Sequence, residues 1–182
     1  MWQQVSVLPE RVRTPARQGL GLLSAAREPL PLSLMSDLLD WPDAGADESF
    51  RKATQTFLYK DEVGGGLRPF HESFREFVLQ KLEAEDPALL ARLHTTLAEQ
   101  LGPWPLVAPN SAHGRFLRRY AVQHRLYHLI AAGSADAAKE LATDLDYLRL
   151  KCHKHGPRSL EDDCAQALSL ITDAGQRRMW QE

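Results

Sequence analysis

The stretch that decides the fold is Leu58-Tyr59-Lys60-Asp61-Glu62-Val63-Gly64-Gly65-Gly66-Leu67-Arg68-Pro69-Phe70-His71-Glu72-Ser73-Phe74-Arg75-Glu76-Phe77. Two short apolar segments flank a glycine-rich turn, a pattern that predicts a β-hairpin. A lone hairpin is marginal in water, so this one needs a helix to pack on. The second strand, 67–70, hands over at His71 to a helix over 72–82, whose Phe74, Phe77, Val78 and Leu82 fall on one stripe. Gly64-Gly65-Gly66 lacks the lysine, the hydroxyl and the following helix of a phosphate cradle, and reads as a flexible tip.

Helices are expected on both sides of this element. Upstream, Thr14-Pro15 has the form of an N-cap followed by proline at the first helical position. That helix is expected to run to about Arg27, with Leu20, Leu23 and Ala26 on one face, and to end at Pro29 and Pro31. Ser33 caps a second helix through Leu39, with Leu34 and Leu38 inward, and Asp47 caps a third bearing Phe50, Ala53 and Phe57. Three helices followed by a two-stranded β wing is the order of a winged helix. Residues 1–13 carry little pattern and read as an N-terminal connector, with the winged-helix domain over 14–84.

The remainder, 85–182, reads as a helical domain. Pro87 opens a helix with Leu90, Leu93, Leu97 and Leu101 on its face. Residues 102–113 hold prolines and an Asn-Ser pair and read as a loop. Phe116, Tyr120, His124, Tyr127 and Ala131 mark a long helix closed by Gly133. Ser134 caps a short helix to about Thr143, residues 145–152 form another, and 153–157 break the chain. Ser159 and Asp162 have capping-box-like spacing ahead of Leu160, Cys164, Leu168 and Ile171 as inward residues. The fold class is therefore mainly α: a winged helix followed by an α-helical array.

Composition narrows the functional classes. The 182 residues are 43% hydrophobic and 25% charged, which suits a globular protein with a real core. Apolar runs such as Leu20 to Ala26 fall far short of the roughly 20 residues a membrane span needs, and no signal-peptide pattern opens the chain. Cys152 and Cys164 make no disulfide framework, so a reducing cytoplasm is the expected compartment. The formal net charge of −2 gives no global attraction to nucleic acid.

The sequence holds no GxxxxGK[ST], GxSxG or HExxH motif and no CxxC, so no catalytic residue is nominated. His124 and His128 share a helix face at a spacing that can hold a metal, with Cys152, His153 and His155 the only further suggestive donors. The competing reading is of core histidines bonded to backbone carbonyls, and no metal site is nominated. Asp162-Asp163 read as helix-start carboxylates that favour the macrodipole. Two basic segments stand out, Arg115, Arg118, Arg119 and Arg125 in one and Lys151, His153, Lys154, His155 and Arg158 in the other. They read either as solvated faces or as a phosphate-binding patch with strong salt dependence. His71 reads either as a surface residue at a helix N-terminus or as a protonatable ring aimed at a ligand.

The chain resembles the winged-helix and following helical domain of STAND-type signalling NTPases. These are the NB-ARC and NACHT relatives that include apoptotic protease-activating factor and bacterial WD-repeat proteins. The resemblance runs through residues 21–30, Leu34-Met35-Ser36-Asp37-Leu38-Leu39, Phe57-Leu58-Tyr59 and Phe70 to Phe77. It continues through Leu93 to Leu97, Tyr120 to His124, Tyr127 to Gly133 and Leu141 to Lys151, and covers about 14–171.

The resemblance implies a winged helix that folds back on a nucleotide-binding domain in the resting state. It implies a histidine, here His71, that contacts the β-phosphate of ADP, and a hydroxyl residue near the nucleotide, here Thr56. The family's His-Asp pair is His71-Glu72 in this chain. ADP/ATP with magnesium is implied for the upstream domain, with no cofactor in the chain itself. The implied partners are that domain and a downstream repeat sensor such as WD repeats, with a homo-oligomer in the active full-length protein and no membrane. Apoptosis-like or defence signalling is the implied setting, and a fragment or split member the implied status.

Function is thus expected to be non-catalytic coupling of nucleotide state to a sensor, with autoinhibition through His71. The alternative is a winged-helix nucleic-acid-binding regulator with a helical dimerisation arm. Its recognition helix would be 47–57, whose Asp47, Glu48, Arg51 and Lys52 nearly balance, so nucleic acid is the weaker partner. A metal-dependent hydrolase built on His124 and His128 is the remote third.

Overall fold

A computed structural model describes residue 5 and residues 7–41, 44–61, 65–101, 114–165 and 168. The chain is mainly helical with a small two-stranded antiparallel sheet. It divides into two compact units, Met1–Leu93 and His94–Glu182.

The first unit is organised around α1 (Glu10–Ala25). Every residue from Gly19 to Ala25 is buried, so the helix is apolar on all sides at its C-terminal end and must be surrounded. Packed against it are α2 (Leu32–Leu39), α3 (Ala44–Thr54), β2 (Leu67–Pro69) and α4 (Glu72–Glu85). Glycine lets α3 approach closely: a Cβ on Gly19 would lie 2.4 Å from the Phe50 ring. Leu20, Leu22, Met35, Phe50, Val78 and Leu82 form the fully buried centre.

Strand β1 (Leu58–Lys60) pairs with β2 antiparallel, with Leu58 opposite Pro69 and Lys60 opposite Leu67. Residues 62–64, which include the first glycine of the expected tip, lie outside the described residues. Gly65 has φ +66, the left-handed conformation that glycine adopts without strain. Leu30 exchanges both backbone hydrogen bonds with Leu67, at 3.0 and 2.8 Å. This bridge ties the segment after α1 to the hairpin and draws Pro29 so close to Gly66 that a Cβ there would meet the Pro29 backbone at 2.9 Å.

Several helix starts differ from expectation. Helix α1 begins at Glu10, with Pro15 inside it, so the connector expected over 1–13 is partly helical and Val5 is buried. Glu10 to Arg13 are adequate helix formers, and Pro9 carbonyl accepts from the Val12 and Arg13 N–H groups at 2.8 Å. Pro31, not Ser33, precedes α2, and α3 starts three residues before Asp47. Asp47 instead accepts a hydrogen bond from the Ser36 hydroxyl, joining α2 to α3.

Helix α5 (Pro87–Gln100) has its start capped by Asp86, which accepts from the Leu89 N–H at 3.0 Å. The division between the two compact units falls within it, at Leu93–His94. Leu89, Leu90 and Leu93 are buried in the first unit, and a Cβ on Gly21 would lie 2.7 Å from Leu93.

In the second unit, α6 (Gly114–Ala131) packs on α7 (Ala135–Thr143) and α8 (Leu145–His155). Ala98, Leu126, Leu129, Ala138, Leu141 and Tyr147 form its apolar cluster. Gly133 at φ +75 reverses the chain after α6. Helical structure resumes over 157–165, so Pro157 is the opening residue and Ser159 lies inside rather than at a cap. Leu168, expected inward, is exposed, and the expected loop 102–113 and Ile171 lie outside the described residues. No helix among the described residues is long and apolar enough to cross a membrane.

Candidate functional site

His71 stands between β2 and α4 as the N-cap residue of the helix, with extended backbone at φ −138 and ψ 145. Its carbonyl accepts from the Phe74 and Arg75 N–H groups at 3.0 and 3.1 Å. Its ring Nδ1 accepts from the Ser73 N–H at 3.2 Å and lies 2.8 Å from the Ser73 hydroxyl. The ring is exposed, and its Nδ1 is engaged within the helix cap. A helix N-terminus leaves backbone N–H groups without intrahelical acceptors, and an imidazole lone pair satisfies one of them. An accepting Nδ1 assigns the proton of the neutral ring to Nε2, which is left as a donor.

Thr56 is exposed in the turn between α3 and β1. The Phe70 N–H donates to the Phe57 carbonyl at 2.9 Å, extending the hairpin pairing one step beyond the strands. One further step along both chains leads to Thr56 and His71, so the two nominated residues share the open end of the hairpin. Phe57 and Phe74 pack beneath them, ring centroids 5.4 Å apart.

A cleft of about 430 Å³ opens beside this turn, between the end of α1, the Arg27–Pro29 segment and the start of α4. Arg27, Arg68 and Arg75 supply its cations, Glu28 and Glu72 its carboxylates. Arg75 pairs with Glu72 at 2.6 Å, and Arg68 lies over the Tyr59 ring at 5.3 Å. Phe70, 71% exposed, projects from the rim. His71 and Thr56 do not line this cleft, whose three guanidinium groups are accompanied by two carboxylates; the His71 ring is exposed at the neighbouring helix start.

The other nominated residues are distributed differently. His128 is fully buried, its Nδ1 3.0 Å from Nδ1 of buried His94 and its Nε2 2.8 Å from the Tyr120 hydroxyl. Both ring nitrogens thus meet side chains, and the residue belongs to the core. His124 is half-buried with its ring against Tyr120. Among the described residues no group of three or more His, Cys, Asp or Glu is placed to hold a metal.

Lys151 leaves the exposed basic group altogether. It is 1% exposed, ion-paired with Asp163, and donates to the Gln123 carbonyl at 3.0 Å. Asp163 is thus a buried partner inside a helix rather than a helix-start carboxylate. It also accepts from the Tyr147 hydroxyl at 3.2 Å. Burial first, and then the Asp163 charge, push the Tyr147 hydroxyl far above the usual tyrosine pKa. Arg125 likewise turns inward to donate to the Ala98 carbonyl at 2.6 Å, and desolvation lowers its pKa.

Sequence reasoning missed His94 and the Lys151–Asp163 pair. The available signals were His94 lying four residues from Leu90 and three from Leu97, and Lys151 four residues after Tyr147, each pair on one helix face. No family model matches the chain, and no curated protein matches it.

Proposed function

We propose that this chain is a non-catalytic regulatory module of a STAND-type signalling ATPase, a winged helix followed by a helical arm. In this reading it couples the ADP or ATP state of an upstream nucleotide-binding domain to a downstream repeat sensor. The winged-helix reading is supported by the order of α1 to α3, β1, β2 and α4, and by the Leu30–Leu67 bridge that fastens the hairpin.

The observation that carries the functional reading is the state of His71. Nδ1 accepts within the cap, which leaves Nε2–H as the donor of an exposed ring. A β-phosphate presented to that donor would receive a charge-assisted hydrogen bond of about 1.5–3 kcal/mol. Made in the ADP-bound arrangement only, such a bond shifts the resting equilibrium by roughly tenfold to a hundredfold. Thr56 at the same end of the hairpin is the second nucleotide-facing residue. Glu72, paired with Arg75, holds the position that is often Asp in the family. ADP/ATP with magnesium belongs to the upstream domain, and assembly into an oligomer to the active full-length protein.

Replacing His71 with Leu in the complete protein is expected to speed ADP release and raise spontaneous activation; an unchanged release rate contradicts the role. The nucleic-acid reading is disfavoured by α3, where Lys52 pairs with Glu48 at 2.7 Å instead of presenting a free cation. Submicromolar, salt-sensitive binding of a DNA duplex would favour it.

A further inference from the structure

The two basic segments of the sequence meet in the second unit. Arg115, Arg118 and Arg119 of α6 line a cleft of about 590 Å³ together with Lys154 and His155 of α8. Val122 and Leu150 supply an apolar floor, and no carboxylate lines the cleft among the described residues. Its volume lies in the range of about 300–1,000 Å³ typical of small-ligand sites.

The arginines at the start of α6 are placed against the interest of that helix, whereas Lys154 and His155 sit in the last turn of α8, where the macrodipole favours them. Helix α6 starts at Gly114 and has no acidic residue in its first turn. The macrodipole there disfavours positive charge. Arg115 also repels Arg118 and Arg119 at the i+3 and i+4 positions. Arg125 and Lys151, from the same two sequence segments, are used by the fold itself. Arg115, Arg118 and Lys154 are exposed and make no ion pair among the described residues.

We propose that this groove binds a small organic anion: phosphate or carboxylate groups clustered on an apolar or aromatic body. Guanidinium groups grip such anions bidentately. Val122, Leu150 and the aliphatic stems of the arginines cover the body. A ligand that offered charge alone would leave the floor uncovered, which sets this class above a nucleic-acid backbone. The site lies in the second unit and does not depend on the role given to His71.

The test is a fluorescence titration of the intact chain with anilinonaphthalene sulfonate, an aromatic body bearing one anion. A single saturable site is expected, weakened about tenfold or more by the double change Arg115→Glu with Arg118→Glu and by added salt. Lys154→Glu, on the other helix, is expected to weaken it as well, and Leu150→Gln to weaken it with the charges intact. Far-ultraviolet circular dichroism checks that each variant remains folded. Undiminished dye binding in both charge variants overturns the proposal. So does undiminished binding in Leu150→Gln, which would leave the floor without a part. Displacement of the dye by a short DNA duplex that binds more tightly would make the groove a nucleic-acid face, and the proposal would fail.

Discussion

The two units solve the same burial problem with different chemistry. Among the described residues, the first buries hydrocarbon and aromatic side chains, and its buried polar residues are the hydroxyl-bearing Ser24 and Thr54. The second buries two imidazoles, an ammonium and a carboxylate: His94, His128, Lys151 and Asp163. An apolar core is held by shape, so it is sensitive to volume. A core threaded with charge is held by pairing, so it is sensitive to the loss of one partner and to pH. The same contrast extends outward: the first unit keeps its imidazole donor at the surface, on a helix cap, whereas the second spends imidazoles inside and displays arginines.

The largest expected effect breaks the buried pair. Lys151→Ala leaves the Asp163 carboxylate without its cation and is expected to cost about 3–5 kcal/mol. Replacing both, as Lys151→Met with Asp163→Leu, should recover most of that loss. Urea denaturation followed by circular dichroism measures both. Equal destabilisation by the single and double changes would show that pairing is not what holds this core.

The first unit should respond to volume instead. A Cβ at Gly19 meets the Phe50 ring at 2.4 Å. Gly19→Ala is therefore expected to cost about 1–3 kcal/mol by overpacking, and Phe50→Leu in the same chain to relieve part of it. Strict additivity of the two changes would remove the ring contact as the cause.

pH separates the units further. The Tyr147 hydroxyl is raised above its ordinary value by desolvation and then by Asp163. The unfolded chain therefore releases this proton first, near pH 10. The contribution is whole below that pH and is lost as pH rises beyond it. Tyr147→Phe is expected to cost about 1–2 kcal/mol at neutral pH, through the lost hydrogen bonds to Asp163 and the Val122 carbonyl. It should also flatten the alkaline decline seen in denaturation curves. A decline of unchanged slope would assign it to other groups.

These contrasts show what was legible in the sequence. The hairpin was readable because Leu58 to Lys60 and Leu67 to Pro69 are apolar segments divided by glycines, a purely local signal. The stripe of Phe74, Val78 and Leu82 was readable for the same reason. The start of α1 was not, since Thr14-Pro15 imitates a helix opening and nothing local reveals that the chain is already helical at Glu10. In the sequence Lys151 reads as one of a run of basic residues because its neighbours are basic. Its partner Asp163 lies on another helix, and only tertiary packing brings them together. The groove of Arg115, Arg118, Arg119, Lys154 and His155 was visible as two separate runs but not as one site. His71 was legible as a strand-to-helix junction; its bond to Ser73, and hence its tautomer, was not.

The smallest expected change in stability carries the most direct test, because His71 is assigned two separable tasks. His71→Ala removes the cap and should cost about 0.5–2 kcal/mol, while His71→Asn keeps a capping side chain and should stay within a few tenths of wild type. Neither variant retains an Nε2 donor. The decisive measurement is the ADP dissociation rate of the complete protein carrying His71→Asn. The account predicts roughly tenfold or faster release with little loss of stability. Release at the wild-type rate would leave His71 a helix cap and nothing more.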